Sequence, residues 1–327
     1  TPHVHHGGDN LLAIRIYPRA PEVYYHWHRN SDSYHGWFSN RIYIEETEEV
    51  MVNDPIVRTL SLHPDGLADV ECQMEVSNRS GKAFSGYLTV SAGKWFPVEE
   101  SLEQQTELKV ALSAGESKTI KTRFRMKCEY WHPDSPVLYQ FKFEFYDASR
   151  RLIDDEVMTT GIRTIDQQGG QVRLNGKPMM LNGALLMQFL PPRKEIPINH
   201  VCPSTEQIVW QMLMIKKMNG NTARLHMLGY GTNDARFPEI CDQLGVMLIW
   251  TTRYIDSLES IIFPGDWKAK EEYVTQIKQV INHPSIVMWE GSNEFHGNLQ
   301  EIDKMYDEFV DAIRSVDPTR LLSPSSH

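Results

Sequence analysis

The sequence predicts a multidomain β plus α/β protein, because its pattern of apolar residues changes near residue 166. Before that point, short runs such as residues 69–76 and 140–145 alternate apolar and polar side chains, which is typical of half-buried antiparallel strands. After it, strand-length apolar runs alternate with amphipathic helix-length runs, which indicates βα units around a parallel sheet. The length of 327 residues also favours two or three domains over one.

The N-terminal part is predicted to be a β-sandwich. Residues 1–54 are too short for a domain of their own, and residues 8–16 resemble a turn that leads into a strand, so we expect the last strands of a sandwich there. Residues 55–166 contain about seven strand-like runs separated by turn signals such as Ser80-Gly81, the number expected for an immunoglobulin-like sandwich.

The C-terminal part, residues 167–327, is predicted to contain repeated βα units. Its predicted strands are residues 178–183, 221–226, 246–250, 285–289 and a short one from Arg320, and its predicted helices are residues 204–218, 233–244, 271–281 and 298–316. Ser204 is a suitable cap for the first helix, and Gly245 closes the second. Such units form either a doubly wound sheet or a closed (β/α)₈ barrel. The barrel is favoured, because no glycine-rich phosphate loop follows a predicted strand.

Composition excludes some partners and leaves others open. A net charge of −10 argues against nucleic acid or an anionic membrane surface, and no apolar run is long enough to span a membrane. We predict no cofactor and no metal, because the four cysteines form no CxxC pair and the acidic residues lack calcium-ligand spacing. Residues 1–10 do not resemble a signal peptide. A periplasmic or secreted location is nevertheless slightly favoured over the cytoplasm. The oligomeric state stays open.

The strongest chemical candidate is Glu294, which follows the predicted strand at residues 285–289. In a parallel barrel, side chains just beyond the strand ends face the active-site pocket, where burial raises a carboxyl pKa towards the range of a general acid. The preceding Asn293 is placed to bind a sugar hydroxyl. The structural alternative is that Asn293 and Glu294 are simply a loop and a helix cap.

Residues 283–294, with the sequence HPSIVMWEGSNE, resemble the acid/base motif on the fourth barrel strand of glycoside hydrolase family 2. Further segments resemble this family in the order of its fold: 130–139, 161–163, 172–178, 218–224, 237–246 and 317–320. The resemblance implies an immunoglobulin-like sandwich at 55–166 and the first half of a TIM barrel at 167–327. It also implies that residues 1–54 end a jelly-roll sugar-binding domain.

The resemblance also implies roles for individual residues. Glu294 would be the catalytic acid/base, Asn293 the contact to the sugar 2-hydroxyl, and Arg224 the residue beneath the nucleophile that keeps it ionised. His226 and Trp250 end neighbouring predicted strands and are candidates to line the sugar pocket, although ordinary packing explains each equally well. Glu290 is an alternative acid, but the family motif places the role on Glu294.

One family feature has no counterpart in the sequence. A retaining glycosidase needs two carboxylates about 5–5.5 Å apart. In this family the nucleophile lies on the seventh barrel strand, and no acidic residue here matches it, so we expect the chain to be an internal fragment. The expected function is a retaining hydrolase of a β-linked sugar that is left unspecified. The alternative is a noncatalytic carbohydrate-binding or scaffold protein with the same fold.

Overall fold

The computed structural model describes residues 4–5, 7–14, 46–186, 204–225, 235–256, 269–293 and 299–323. Residues 11–14, at the start of the predicted N-terminal strand, have no regular secondary structure, and most of the predicted jelly-roll remnant lies outside the described residues. Within the described ranges, no helix combines the length and apolar character needed to cross a membrane. The same ranges hold no group of three or more His, Cys, Asp or Glu residues suited to a metal ion.

Seven antiparallel strands between residues 50 and 160 form two sheets. Their bounds are β1 (Val50–His63), β2 (Leu67–Asn78), β3 (Phe84–Phe96), β4 (Glu103–Leu112), β5 (Ser117–Lys127), β6 (Leu138–Asp147) and β7 (Leu152–Thr160). One sheet has the order β1-β2-β5 and the other β4-β3-β6-β7. Strand β1 already pairs Val50 with Asn78 of β2, so residues 50–54 belong to this sheet rather than to the preceding segment.

Alternating apolar side chains build the core between these two sheets. On β6, Phe141, Phe143 and Phe145 are fully buried, while the intervening residues are only partly buried. Cys72 and Cys128 lie in the same core as free thiols, and burial raises the pKa of the Cys128 thiol to about 12. The period-two pattern therefore predicted this domain from local sequence.

A small antiparallel sheet connects the sandwich to the parallel sheet. It consists of β8 (Ile165–Gln168), β9 (Gln171–Leu174) and β10 (Lys177–Pro178), in the order β10-β9-β8. Because Pro178 pairs back onto Arg173 of β9, the parallel sheet begins later than the predicted position, at Gly183 rather than at residue 178.

Five parallel strands follow in the spatial order β11-β12-β13-β14-β15. They are β11 (Gly183–Leu186), β12 (Thr222–Leu225), β13 (Met247–Asp256), β14 (Ile286–Asn293) and β15 (Leu321–Ser323). The helices described between them are α1 (Thr205–Lys217), α2 (Arg236–Leu244), α3 (Ala269–Val280) and α4 (Leu299–Arg314). Each described strand pairs with the next one in sequence, and the order never reverses as it does in a doubly wound sheet.

The predicted helix caps are confirmed. Ser204 accepts a hydrogen bond from the Gln207 backbone while the Gln207 side chain returns one to the Ser204 backbone, which makes a complete capping box. Gly245 ends α2 in the left-handed conformation with φ of 69°.

The sandwich and the parallel sheet share a polar contact surface. The indole Nε1 of Trp131 donates to the carbonyl of Asp242 at 2.9 Å, and the Lys216 ammonium donates to the carbonyl of Pro133 at 2.9 Å. Asn282 exchanges hydrogen bonds with β1, accepting from the Val57 amide and donating to the Pro55 carbonyl. These bonds fix the sandwich against the N-terminal ends of the parallel strands.

Candidate active site

Three polar side chains meet across β12, β13 and β14: Arg224 lies one residue before the end of β12, and Thr251 and Glu290 lie in the middle of their longer strands. The Nε of Arg224 donates to both carboxylate oxygens of Glu290, at 3.0 and 2.8 Å, and its terminal nitrogen lies 2.7 Å from Oε2. The hydroxyl of Thr251 donates to the same Oε2 atom. Glu290 is 2% exposed, Thr251 is fully buried and the Arg224 side chain is 15% exposed, so this is a partly buried ion pair with an added hydroxyl donor.

Strand alternation places these three residues on one face of the sheet. On β12, Ala223 and Leu225 belong to the core shared with the helices, so Arg224 between them faces the opposite side. Glu290 reaches Arg224 and therefore lies on this opposite side as well. In a parallel barrel the side away from the helices is the interior, where catalytic side chains collect at the carboxyl ends.

Trp250 does not share this face. Its side chain is 2% exposed and belongs to the core that includes Ile208 of α1 and Phe237 of α2. Trp250 is therefore a packing residue on the helix side of β13, and the prediction that it lines a sugar pocket is not supported. It adjoins Thr251, and successive side chains on a strand point to opposite faces.

Two predicted site residues, Glu294 and His226, lie outside the described residues. The backbone of Asn293 is described, and it is the last residue of β14, paired in register with Asp256 of β13. Strand β14 thus extends four residues past the predicted end at residue 289, because Glu290, Ser292 and Asn293 still pair with β13, across a second register shift between Thr251 and Ile255. Residue 294 follows this strand end directly in the sequence.

Glu290, considered above as an alternative acid, lies deeper along the same strand. Asn293 is three residues further on, about 10 Å along an extended strand. The Glu290 carboxylate accepts several hydrogen bonds from Arg224 and one from Thr251. Both of its oxygens are thus already engaged by side chains of the neighbouring strands, which gives Glu290 a structural role within the cluster.

The His-Pro-Ser lead-in of the motif has a structural role at the other end of β14. The Asp242 carboxylate accepts from the Ser285 amide at 3.0 Å and lies 2.6 Å from Nδ1 of His283.

Burial, and then the nearby charge of Arg320, lower the pKa of the Arg163 guanidinium to about 9. Burial alone would raise the pKa of Asp317, but Arg320 and hydrogen bonds from Thr319 and Trp289 outweigh it and hold the pKa well below its usual range.

Sequence reasoning missed the partners of Arg224. Neither Thr251 nor the pairing of Arg224 with Glu290 was predicted, since both depend on which face of a strand each residue occupies. A usable signal was present, because a glutamate inside an otherwise apolar strand end needs a buried cation nearby.

Comparison with known families supports this architecture. The family model described as "Glycosyl hydrolases family 2, TIM barrel domain" matches residues 165–326, and the model described as "Glycosyl hydrolases family 2" matches residues 51–163. A beta-galactosidase from Priestia megaterium is 26% identical over 234 residues, covering 67% of this chain and 21% of the relative. One from Pseudoalteromonas haloplanktis is 23% identical over 235 residues, covering 70% and 21%. The chain thus spans about a fifth of the length of these relatives.

Solved structures show the same fold. A glycosyl hydrolase family 2 member from Bacteroides cellulosilyticus superposes with a TM-score of 0.67 at 20% identity, over 84% of this chain and 36% of that one. A GH2 beta-galacturonidase from Eisenbergiella tayi, bound to galacturonate, superposes with a TM-score of 0.66 at 24% identity, over 86% and 47%.

Proposed function

Because this chain belongs to glycoside hydrolase family 2, we propose that it carries the acid/base half of a retaining β-glycosidase active site, with Glu294 as the general acid/base. The observation that carries the proposal is the position of β14. This strand carries Glu290 of the Arg224–Glu290–Thr251 cluster and ends three residues later at Asn293, so Glu294 is the first residue beyond its carboxyl end.

The proposed reaction is a double displacement. Glu294 first protonates the oxygen of the leaving group while a nucleophilic carboxylate forms a glycosyl-enzyme intermediate. It then removes a proton from the water that hydrolyses this intermediate. Asn293 would bind the sugar 2-hydroxyl, where hydrogen bonding strengthens at the transition state. We assign the nucleophile to no residue of this chain.

Arg224 places a positive charge on the face of the parallel sheet that lies away from the helices. Its guanidinium is held by the Glu290 carboxylate, which in turn accepts a hydrogen bond from the Thr251 hydroxyl. We propose, as the family resemblance implies, that the positive charge of Arg224 favours the ionised form of the nucleophile.

The architecture fits this assignment. We propose that the sandwich, with sheets of three and four strands, is immunoglobulin-like, and that the five parallel strands are the first half of a (β/α)₈ barrel. The residues that precede β1 would end a jelly-roll domain, as the family resemblance implies.

The substrate is proposed to be a β-linked pyranoside. Related chains are named as beta-galactosidase, beta-glucuronidase and beta-galacturonidase, so a panel of these sugars is the natural starting point. The panel would use 2,4-dinitrophenyl and methyl β-glycosides, whose leaving groups differ widely in their need for a proton.

The test is Glu294→Gln in the natural full-length polypeptide. We expect kcat/KM on the methyl glycoside to fall about 10²–10⁴-fold, the usual contribution of a general acid, with a far smaller loss on the dinitrophenyl glycoside. Azide should raise kcat on the dinitrophenyl substrate and yield a β-glycosyl azide, because this anion needs no general base.

A matched control is Glu308→Gln, which changes an exposed glutamate on α4. This variant should keep wild-type rates on both substrates. Equal turnover of the methyl glycoside by wild type and Glu294→Gln would refute the assignment. A folded wild type that binds the sugars without cleaving any of them would favour the noncatalytic carbohydrate-binding alternative.

A further inference from the structure

The first residues of β14 are held by arginine side chains as well as by the sheet. Arg163, which follows the last strand of the sandwich, donates from Nε to the carbonyl of Pro284 at 3.0 Å. Its terminal nitrogen donates to the carbonyl of Ile286 at 2.6 Å. Arg320 donates to the same Ile286 carbonyl at 2.7 Å. Two guanidinium groups therefore use both lone pairs of one carbonyl oxygen at the start of this strand.

The strand is irregular at this point. Leu248 of β13 pairs with Ile286, but the next residue, Ile249, pairs with Met288. One step along β13 thus corresponds to two steps along β14, which is a β-bulge with Val287 as the extra residue. The arginine-bound carbonyl of Ile286 immediately precedes it.

The bulge decides which side chains of β14 face the barrel interior. Glu290 faces Arg224, whereas Trp289 packs in the core shared with the helices. Because side chains alternate along a strand, a shift of one residue would exchange these two faces. It would also displace Asn293 and the residue after it at the far end of the strand.

We propose that Arg163 is a positioning residue, by which the sandwich domain fixes the bulge of β14 and thereby the placement of Asn293 and Glu294 at the strand end. This inference rests on the function proposed above. Arg163 binds the chain at Pro284 and Ile286, at the opposite end of β14 from Asn293, so its effect on the reaction is transmitted through the β14 backbone.

The surroundings of Arg163 are suited to such a role. The side chain is 6% exposed, so its hydrogen bonds are shielded from water. The preceding Gly161 packs so closely that a Cβ atom there would lie 2.7 Å from Trp131 and 2.8 Å from the ring of Pro284. The backbone that carries Arg163 is thus seated directly on the segment whose carbonyls it binds.

The test is Arg163→Lys in the natural full-length polypeptide. Lysine keeps the charge but lacks the planar fork that binds two carbonyls in fixed geometry. A displacement of about 1 Å in a catalytic group costs on the order of 10²-fold in rate. We therefore expect a 10- to 100-fold loss of kcat/KM on the methyl glycoside, against roughly threefold or less on the dinitrophenyl glycoside.

The matched control is Arg58→Lys. Arg58 is also buried, at 8% exposure, and its terminal nitrogen also crosses between the domains, donating to the carbonyl of Val316 at 2.6 Å. It does not bind β14 through any of these bonds. If domain docking alone mattered, both lysine variants would behave alike, whereas the inference requires the selective loss only in Arg163→Lys.

The ratio of the two substrates on one preparation is independent of the fraction of folded enzyme. Where Arg163→Lys folds poorly, Arg163→Gln is measured in the same way. An unchanged ratio, an equal loss on both substrates, or a match with Arg58→Lys overturns the inference. Glu294→Gln distinguishes the two proposals: if it lacks the selective loss, the proposed function fails, and if it alone shows the loss, only the role of Arg163 fails.

Discussion

Replacing Asp317 by asparagine should strongly destabilise the parallel-sheet domain. Asp317 is fully buried and accepts hydrogen bonds from Trp289 at 2.7 Å and from Arg320 at 2.8 Å through the same oxygen. Its other oxygen accepts from the backbone and hydroxyl of Thr319. Asparagine keeps the shape but removes the negative charge and turns one acceptor into a donor.

The expected loss of stability follows from the Arg320 charge that would be left without its partner. Arg320 is 7% exposed, and in Asp317→Asn its charge would remain buried close to that of Arg163 without this carboxylate. Removing one partner of a buried ion pair typically costs about 3–5 kcal/mol. For a domain of this size, each kcal/mol lowers Tm by roughly 2–4 °C, so a decrease of about 6–20 °C is expected.

The matched control is Asp69→Asn in the sandwich. The pKa of Asp69 is also held well below its usual range, chiefly by a hydrogen bond from Arg125, followed by bonds from Ser61 and His63. Its partner is more than half exposed, so solvent screens the pair and the loss of stability should be much smaller. Urea unfolding followed by tryptophan fluorescence would measure both. Equal destabilisation by the two substitutions would refute the argument from burial.

The difference between wild type and Asp317→Asn should also depend on pH. The folded-state pKa of Asp317 lies below its ordinary value of 3.8, so its contribution is fully present above that pH. The contribution is lost as pH falls towards the folded-state pKa. The gap in unfolding free energy between the two proteins should therefore stay constant from pH 7 to about 5 and narrow below about 4.

Two smaller predictions concern the residues that begin and end helices, Ser204 before α1 and Gly245 after α2. Gly245→Ala should lower the free energy of unfolding by about 2–5 kcal/mol, because φ is 69° and a Cβ would lie 2.1 Å from the Pro133 carbonyl oxygen. Gly115→Ala has similar backbone strain, at φ of 72°, but open space around the added Cβ, so its loss of stability should be smaller. Thermal unfolding of both variants checks this, and equal losses would exclude the steric contact as the cause. Ser204→Ala removes the capping box of α1 and should cost about 0.5–2 kcal/mol in the same assay, with Ser204→Asp close to wild type. A larger loss in the aspartate variant would contradict the cap as the reason.

Local sequence patterns predicted the helices and strands better than they predicted which face of a strand each side chain occupies. Ser204 and Gly245 mark the ends of α1 and α2 by their own chemistry, and the structure confirms both. The predicted strand at 178–183 was displaced, because residues 177–178 fold back onto β9, a pairing that the sequence pattern does not encode.

The interior of the barrel was less accessible to sequence reasoning. Arg224 was recognised as a candidate, but its pairing with Glu290 was not, and for Trp250 the sequence left pocket lining and ordinary packing both open. Whether a residue points inwards depends on the register between neighbouring strands. The bulge at Val287 in β14 changes that register by one residue and leaves no mark in the periodicity of a single sequence.

The bonds from Arg163 across the domain border bear on how such proteins diverge and recombine. A barrel excised at residue 165 would leave Arg163 behind, so the Pro284 carbonyl would lose its arginine donor and the Ile286 carbonyl would keep only Arg320. A grafted foreign sandwich would need an arginine of the same reach and a residue as small as Gly161 where the chain packs against Pro284. The two domains are therefore expected to be inherited together, and a viable crossover point lies within either domain rather than at the border between them.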